Sequence, residues 1–467
     1  MAKGRIQRIQ DPIHGLMQFE GMETAVIDIL RMPEIQRLRR IRQTGMAHLV
    51  YPGTEHSRLS HSLGVAHLAI RILRHLSHSS ARDYLPSLLM PSEIVRREFA
   101  IAALCHDLGH GPLSHVFEND VIGKNFDFVK WCNALGVSDH MSLLKGSKWH
   151  ELVTFALLNW EEGELHRLLE VYEADSSKRI SMLLRGKYFI PYLPLLIDSD
   201  VDIDRADFVG RDAYMSGVAY GRYDINWLIS TVNVGENRQG KLVPGFDKKK
   251  SLRVVEQFLI ARRALYDIVY RHKTVRSAER MVSLFMMRLR DSGDARIGFV
   301  KGDLLSPLLK AIAGEALNPR EILSIDDYTL WLLMSSIAAN PQSDETARDL
   351  AERITKRNLL KAVPLKDETI SKYFSRNDEG MRELYEVIKK YCPGESKYYI
   401  VRDNDKIETI GEQDEHRSYF INDLHEAEQI NEHKRLRYLI DAGVEYDRLY
   451  TLDEAKDAVK NHILSKT

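Results

Sequence analysis

The stretch HSRLSHSLGVAHLAI at residues 56–70, followed by IAALCHDLGHGPLSHVFE at residues 101–118, decides how this chain is organised. Nine of the 18 histidines lie between His48 and His115. Imidazole nitrogens and carboxylate oxygens together suit Mg, Mn, Fe or Zn, and the scarcity of nearby thiols argues against a closed zinc finger. Histidines clustered at ligand spacing are a stronger signal than a single histidine, so the stretch predicts a metal-centred site rather than a chance grouping.

Helical periodicity places this chemistry on two predicted helices. Apolar residues at three- and four-residue spacing predict a helix over 57–78, with His61 beside its buried stripe. The same spacing predicts a second helix over 92–108, which ends at a glycine and carries His106 and Asp107 in its last turn. Adjacent helix residues point ~100° apart, so one metal ion can contact both side chains only at the helix end.

Length and composition narrow the class of protein. At 467 residues the chain predicts two or three domains, and 44% apolar with 28% charged residues is typical of a soluble globular protein. A net charge of -1 gives no indication of a nucleic-acid or membrane partner. Three scattered cysteines and the lack of a signal peptide or long apolar run predict a cytoplasmic protein in a reducing compartment.

The rest of the first part of the chain predicts a mostly α fold that carries small β-hairpins. Alternating apolar residues predict one hairpin over 4–20 and another over 231–246. Helical spacing predicts a long helix over 249–290. Residues 119–148 are mixed in character and contain three glycines, so we interpret them as an insertion or a lid.

Residue types suited to catalysis become sparse beyond residue 290. We therefore divide the chain into a helical core over 1–290 and a C-terminal region over 291–467. This region is predicted to be mainly α, with a short strand pair at 398–402 and 406–410 and a mostly helical last segment over 415–467. We interpret it as a regulatory or oligomerisation region.

An acidic segment at 195–217 carries a second group of candidate site residues. Spacings of three and four place five of them on one helix face: Asp204, Asp207, Phe208, Arg211 and Asp212. The alternative to a functional site is that these polar residues only cap the start of a helix and face solvent. The histidine cluster upstream favours a functional interpretation.

A basic segment at 37–42 contains Arg37, Arg39, Arg40 and Arg42. One interpretation is a solvated helix face. The other is a surface that meets phosphate groups, of nucleotides or of nucleic acid, because guanidinium groups bind phosphate bidentately. The sequence leaves these interpretations open.

The order of a histidine, a His-Asp pair and a later aspartate resembles the HD-domain phosphohydrolases. The flanking residues look like the deoxynucleoside triphosphate (dNTP) triphosphohydrolases, which include the bacterial dGTPases and the metazoan SAM-and-HD-domain enzyme. The similarity covers about residues 5–290 and is carried by DPIHG at 11–15, QRLR at 36–39, YPG at 51–53, SRLSHSLG at 57–64, CHDLGHGPLSH at 105–115 and DIDRAD at 202–207.

The resemblance implies a metal site and a reaction site next to it. The implied metal ligands are His61, His106, Asp107 and Asp204, with Mn, Mg or Fe as the expected ion and Zn also compatible. The residues implied to surround the α-phosphate are His110, His115 and His150, with Glu118 and Glu151 orienting histidines. Two histidines and two aspartates leave coordination positions open for water and a phosphate oxygen.

The resemblance also implies a substrate site. The triphosphate is expected to meet Arg58, Arg205, Arg262 and Lys273, the sugar 3′-hydroxyl to meet Gln43 and Asp212, and the 2′ position to face Tyr270. A histidine has the pKa to protonate a leaving 5′-oxygen near pH 7, which is typically worth ~10²–10⁴ in rate. We favour His115, oriented by Glu118, with His110 as the competing assignment.

The implied activity is hydrolysis of a dNTP to deoxynucleoside and triphosphate under nucleotide regulation. The implied partners are the dNTP, an activating nucleotide at a second site and further copies of this chain in a dimer or tetramer, with no membrane. Two positions depart from the family. Phe208 stands where a tyrosine is frequent, and Arg31 stands where the metazoan enzyme recognises guanine with an aspartate, although Gln36 and Arg39 remain.

Two other functions compete with this prediction. One is an HD phosphohydrolase that acts on ribonucleotides, nucleotide monophosphates or cyclic dinucleotides. The other is a catalytically silent nucleotide sensor whose metal is structural. Tyr270 and Asp212 argue against a ribose substrate, and His110, His115 and His150 argue against a silent site.

Overall fold

A computed structural model describes residues 6–123, 126–293, 304–365, 378–407, 417–440 and 444–466. The fold is mostly α, as the sequence predicts, with three small sheets among the described residues. The predicted N-terminal hairpin is confirmed: strands β1 (Gln7–Asp11) and β2 (Gly15–Phe19) pair antiparallel around the Pro12 turn.

The helices up to residue 292 form the larger part of the molecule. They are α1 (Ala25–Ile29), α2 (Pro33–Gln36), α3 (Arg58–Leu76), α4 (Ala81–Tyr84), α5 (Glu93–Cys105), α6 (Phe128–Ala134), α7 (Met141–Leu144), α8 (Trp149–Leu158), α9 (Glu164–Tyr172), α10 (Ser176–Leu184), α11 (Leu193–Ile197), α12 (Ile203–Ser216), α13 (Ile225–Ser230), α14 (Lys248–Leu265) and α15 (Lys273–Ser292). Strands β3 (Val232–Glu236) and β4 (Leu242–Asp247) form the predicted second hairpin.

The remaining elements alternate helices with short strands. They are α16 (Ser306–Ile312), α17 (Pro319–Ile322), α18 (Asp327–Ala339), α19 (Glu345–Thr355), β5 (Lys361–Pro364), α20 (Asp378–Ile388), β6 (Ile400–Ile407), β7 (Tyr419–Ile421), β8 (Ala427–Gln429), α21 (Arg437–Ile440), β9 (Val444–Thr451) and α22 (Lys456–Leu464). The sheet orders are β3-β4-β7-β8 and β5-β9-β6.

Helices α3 and α5 pack together at the centre of the core. Both are buried along most of their length, because each carries a wide apolar stripe that must be covered by neighbours. The start of α5 is fixed by Ser92, whose hydroxyl accepts a hydrogen bond from the Val95 amide at 3.3 Å. The end of α5 is earlier than predicted, at Cys105, so His106 is its C-cap and Asp107 lies in the following turn.

Two predictions about the helical core need correction. The predicted helix over 249–290 is two helices, α14 and α15, joined by a π-helical turn at Tyr266–Tyr270 and a break before Lys273. The segment 119–148, for which no regular structure was predicted, contains α6, α7 and part of a π-helical turn, Phe117–Ile122. Whether it is an insertion or a lid stays a prediction.

The C-terminal predictions also need correction. The chain around residue 400 forms one strand, β6, which pairs antiparallel with β9 rather than with its own continuation. Residues 408–410 of the predicted strand pair lie outside the described residues. The last segment is not mostly helical, because it contributes β7, β8 and β9. Strand β7 pairs parallel with β4 and so joins the two parts of the molecule, because Tyr419 of β7 lies opposite Gly245 of β4, 174 residues earlier in the chain.

Among the described residues no helix is long and apolar enough to span a membrane.

Candidate metal centre and active site

Three elements bring the four predicted metal ligands together. His61 comes from α3, His106 and Asp107 from the end of α5, and Asp204 from the first turn of α12. The His61 Nε2 atom lies 3.0 Å from Asp204 Oδ1 and 3.7 Å from Asp107 Oδ2. The His106 Nε2 atom lies 3.5 Å from both Asp204 Oδ1 and Asp107 Oδ1. The ligand atoms therefore surround one small volume.

The imidazole rings are oriented as metal ligands require. The His61 Nδ1 atom contacts Asp207 Oδ2 at 2.8 Å, and the His106 Nδ1 atom contacts the Ala103 carbonyl oxygen at 2.8 Å. Because both partners can only accept, each Nδ1 carries the hydrogen and each Nε2 presents a lone pair. Both Nε2 atoms are buried and have no hydrogen-bond partner in the described structure. A divalent cation fits this donor set.

A buried carboxylate, Asp207, holds the His61 ring from behind. It also contacts His14 Nε2 at 2.6 Å and accepts from Arg211 Nε at 2.8 Å, while Arg211 donates to Asp11 Oδ2 at 2.8 Å. Gly64 permits this packing, because a Cβ atom there would lie 1.9 Å from Asp207 Oδ1. Each of these contacts restricts the position of Asp207 and so the orientation of the His61 ring.

The electrostatics of the cluster favour a cation. Burial lowers the pKa of His61, but the neighbouring carboxylates of Asp204 and Asp207 outweigh it and raise that pKa to about 10. Burial also opposes the charge of Asp204, yet His106 and His61 hold its pKa below the usual range. A site that attracts a proton this strongly also attracts a metal ion.

A row of histidines extends from the metal ligands toward solvent. The His110 Nε2 atom lies 3.2 Å from Asp107 Oδ1, and the His110 ring stacks on His150 with ring centroids 4.1 Å apart. His150 Nδ1 donates to Glu118 Oε2 at 2.8 Å. Burial, with the charges of Arg58 and His150, keeps the pKa of His110 well below its usual range.

His115 stands at the outer end of this row. Its side chain is 69% exposed, its ring lies 5.3 Å from that of His110, and its Nδ1 atom is 3.8 Å from Glu118 Oε2. Burial raises the pKa of Glu118, but His115 and His150 hold it well below the usual range. Glu118 therefore contacts both rings and holds His150 the more closely.

The other carboxylate expected to orient a histidine does not do so among the described contacts. Glu151 accepts from Arg185 NH1 at 2.8 Å and from the Lys148 amide at 3.3 Å. These contacts cap helix α8, which carries His150, so Glu151 acts on the helix rather than on an imidazole ring.

Cationic side chains lie next to the same cluster. Arg58 is buried, donates through Nε to Ser114 Oγ at 2.8 Å and pairs with Asp107. Burial lowers the pKa of Arg205, but Asp202 and Asp204 raise it above the usual range. Burial and the nearby charge of Arg205 lower the pKa of Arg262, so these two guanidinium groups are neighbours. Adjacent cations of this kind suit a polyanion.

Lys273 and the arginines of the basic segment 37–42 differ in exposure and in their contacts. Lys273 is exposed at the first residue of α15. Arg37 is fully buried and donates to backbone carbonyls, whereas Arg40 pairs with Asp326 and Arg42 donates to Glu55 Oε2 at 2.6 Å. Neither of the two interpretations of the segment describes Arg37, because its guanidinium group faces neither solvent nor a phosphate site.

Asp212 and Tyr270 meet at the other side of the cleft. The Tyr270 hydroxyl donates to Asp212 Oδ2, and His56 Nε2 lies 2.7 Å from Asp212 Oδ1. Gln43 lies next to His56, because its backbone amide donates to the His56 carbonyl oxygen at 3.0 Å. The side-chain Oε1 atom of Gln43 is buried and has no hydrogen-bond partner in the described structure. Phe208 lies between the two regions, with its ring 6.4 Å from His61 and 6.5 Å from Tyr270.

Sequence reasoning assigned no role to His14, Asp11 or His56. The hairpin turn delivers the first two to the back of the metal cluster, and His56 precedes the α3 motif and fixes Asp212. The sequence partly indicated these residues, because Asp11 and His14 belong to the DPIHG motif and His56 directly precedes SRLSH. Their partners, however, lie far away in the sequence: Asp207 is 193 residues from His14, Arg211 is 200 residues from Asp11, and Asp212 is 156 residues from His56.

Comparison with known proteins agrees with this geometry. The family description "HD domain" matches residues 58–144, which include His61 and the His106-Asp107 pair. The chain thus contains an HD domain at residues 58–144. Its relatives extend the similarity beyond the HD domain to proteins named deoxynucleoside triphosphate triphosphohydrolases.

Two relatives illustrate the range of similarity. The Dictyostelium discoideum homolog of the triphosphohydrolase SAMHD1 is 30% identical over 364 residues, which are 76% of this chain and 59% of that protein. The uncharacterized protein YwfO of Bacillus subtilis is 27% identical over 396 residues, which are 85% of this chain and 78% of that protein. The chain thus spans less than two thirds of the named triphosphohydrolase.

A solved structure shares the fold over nearly the whole chain. The structure of a phosphohydrolase from Bacteroides thetaiotaomicron superposes with a TM-score of 0.72, covering 96% of this chain and 100% of that one at 22% identity. The HD relatives and the His/Asp cluster together support a metal-dependent hydrolase of the HD family.

Proposed function

We propose that this HD protein hydrolyses a dNTP to a deoxynucleoside and inorganic triphosphate. The observation that carries the proposal is the convergence of His61, His106, Asp107 and Asp204 beside a row of three histidines and a set of cations. Relatives in Dictyostelium and in human are named dNTP triphosphohydrolases, which supports the same reaction here.

The proposed cofactor is one divalent metal ion, with Mn, Mg, Fe or Zn compatible with the donor set. His61 and His106 would bind it through Nε2, and Asp107 and Asp204 through carboxylate oxygens. When bound, such an ion supplies a Lewis acid next to the α-phosphate and lowers the pKa of water there. The remaining steps are proposed for side chains of this chain.

In the proposed reaction the oxygen of water joins the α-phosphorus, and the bond from that phosphorus to the 5′-oxygen breaks. The 5′-oxygen takes up a proton to become the hydroxyl of the deoxynucleoside. We assign this proton to His115, because it is the accessible member of the row and contacts the ionised Glu118. His110 remains the competing assignment, although its low pKa keeps it neutral and so favours a role other than donor at neutral pH.

The substrate would lie across the cleft from the metal ligands to Asp212. Arg58, Arg205 and Arg262 would neutralise the triphosphate, with the exposed Lys273 as a further candidate. Asp212 and Gln43 would bind the 3′-hydroxyl, since the buried Gln43 Oε1 has no protein partner. The Tyr270 ring would occupy the space of a 2′-hydroxyl and so favour deoxyribose.

We also propose a division of labour along the chain. Residues 1–290 would form the phosphohydrolase core, with 119–148 as an insertion or lid, and residues 291–467 would serve regulation or oligomerisation. A second nucleotide, bound near Gln36 and Arg39, would promote a dimer or tetramer. The reversed charge at Arg31, which lies 3.9 Å from Asp28, argues against guanine as the preferred base there.

The test is to incubate the purified protein with Mn or Mg and each dNTP, alone and mixed, and to separate the products by ion exchange. We expect triphosphate and deoxynucleoside in equal amounts, and none from a His106→Ala, Asp107→Ala double variant. Activity only in the mixture would support an activating nucleotide.

Other products would favour the competing functions. Pyrophosphate or single phosphate instead of triphosphate would contradict the reaction type. Hydrolysis of NTPs, nucleotide monophosphates or cyclic dinucleotides by the wild type would indicate a different HD phosphohydrolase. A Tyr270→Ala variant should gain NTP hydrolysis if this ring excludes ribose. Binding without turnover under every metal and nucleotide condition would indicate a sensor.

A further inference from the structure

The catalytic loop between the metal ligand Asp107 and His115 has an unusual backbone. Leu113 and Ser114 both have left-handed φ angles, 52° and 54°, although neither is glycine. Two consecutive residues of this kind persist only where surrounding contacts hold them. His115 follows at once, so its position depends on whatever holds Leu113 and Ser114.

A buried carboxylate from the C-terminal region provides that contact. Asp327 is the first residue of α18 and is 1% exposed. Its Oδ1 accepts a hydrogen bond from the Leu113 amide at 2.8 Å, and its Oδ2 accepts from the Arg42 amide at 3.0 Å. Both carboxylate oxygens thus accept from backbone amides, and one of these amides belongs to Leu113, which has a left-handed φ angle.

Neighbouring residues reinforce the same junction. The fully buried Arg37 donates to the carbonyl oxygens of Ile325 at 3.0 Å and His110 at 2.7 Å. Burial lowers the pKa of Arg37 only to about 10, so the group remains charged at neutral pH. Ile325, just before α18, is therefore linked through Arg37 to the end of the loop that carries His110.

We infer that Asp327 is a positioning residue of the active site, which holds the Leu113-Ser114 backbone and thereby places His115 against the substrate. The inference rests on the proposed role of His115 in proton transfer. It gives the C-terminal region a direct part in catalysis, although Asp327 contacts neither substrate nor metal ligand. Because the same carboxylate bonds to Arg42, it also joins the basic segment 37–42 to the catalytic loop.

The test uses the full-length protein and an Asp327→Asn variant. Asparagine keeps the shape but can accept only one of the two amide hydrogens, and its own NH₂ group would face the other. The matched control is Asp344→Asn, which removes a partly buried carboxylate of the same region that accepts from Arg288 NH2 at 2.7 Å and makes no described contact with the loop. Hydrogen–deuterium exchange of peptides covering 108–116 reports the loop directly.

We expect exchange at Leu113 to be at least about 10-fold faster in Asp327→Asn, since a hydrogen bond to a charged group is lost, and unchanged in Asp344→Asn. For dNTP hydrolysis we expect kcat to fall about 10-fold or more with KM within about 3-fold, because proton transfer rather than binding is affected. Metal content should stay at the wild-type value.

The outcomes separate this inference from the proposed function. Unchanged exchange in the loop, or a lower kcat without faster exchange, would overturn the positioning role. If the wild type releases no triphosphate from any dNTP, the proposed function fails, while the exchange measurement still judges Asp327. Should Asp327→Asn not fold, Asp327→Glu keeps the charge but moves it by one methylene, and the same loosening of the loop is expected.

Discussion

The metal-ligand cluster and the histidine row are adjacent, yet they are held in different ways. His61 is 0% exposed, and His61 and His106, the two imidazoles proposed to bind the metal, each have the second nitrogen fixed by a buried acceptor. At the other end of the site, the His115 side chain is 69% exposed, and its Nδ1 atom lies 3.8 Å from Glu118 Oε2. The first region is buried and fixed by hydrogen bonds, whereas the position of His115 depends mainly on the backbone of its loop.

This difference follows from what each region would have to do. A metal site needs its ligand atoms within a few tenths of an ångström of fixed positions, which requires support from a further layer of residues. A proton donor needs access to the substrate and a position that its backbone sets. Substitutions in the two regions should therefore separate loss of metal from loss of turnover.

The largest expected effect comes from the ligand that touches both regions. Asp107→Ala removes a metal ligand and leaves Arg58 and His110 without their buried acceptor. We expect loss of bound metal and a fall in triphosphate release to background, measured by elemental analysis and product chromatography. The control is Asp139→Ala, an exposed carboxylate in a nearby turn. Retained metal with retained activity would contradict the ligand assignment.

The next prediction separates the role of the histidine row from that of the metal-ligand cluster. His115→Gln is expected to lower kcat by about 10²–10⁴, the usual contribution of a general acid, while metal content stays unchanged. The exposed His140, which is not among the candidate site residues, offers a matched His→Gln control. If His115→Gln retains wild-type kcat and His110→Gln does not, the proton donor is His110 instead.

The sequence predicted most of the rigid region and little of what supports it. Helices α3 and α5 have long apolar stripes, which are local signals, and their motifs contain His61, His106 and Asp107 within 47 positions. Asp207 was recognised as part of an acidic face. Its contact with His14, by contrast, spans 193 residues, and no periodicity indicates such a pairing.

The errors have the same physical origin. Strands β7 and β8 are three residues each, and their sequences carry too little alternation to predict strands. Strand β7 pairs with β4 far back in the chain, and β8 pairs with β7. The break between α14 and α15 has neither proline nor glycine at Leu265–Lys273 to indicate it. Both π-helical turns carry candidate site residues, Glu118 and Tyr270, which matches the frequent use of such turns at functional sites.

A smaller effect should come from the support of the metal cluster. Asp207→Asn keeps the size of the side chain but removes the charge that His61 Nδ1, His14 and Arg211 face. We expect metal affinity to fall by about 10–100-fold, as is typical for such partners of metal ligands. Competition with a chelator measures the change, with the exposed helix cap Asp224→Asn as the control. Unchanged affinity would mean that His61 is oriented without Asp207.

The smallest effect concerns His67, whose ring lies 5.4 Å from that of His14 behind the cluster. Burial and the charge of His14 lower the pKa of His67 to about 3, so it stays neutral in the folded protein. The unfolded chain binds a proton near pH 6.5 that the folded chain does not, and the free energy of unfolding must therefore fall as pH decreases below about 6.5. Between pH 7.5 and 5.5 the wild type should lose about 1 kcal/mol more than His67→Gln, measured by urea unfolding. His78→Gln, an exposed position just beyond the same helix, should match the wild type. Equal losses for the wild type and His67→Gln would show that His67 is protonated in the fold, and that the support behind the metal cluster carries one more positive charge than its geometry implies.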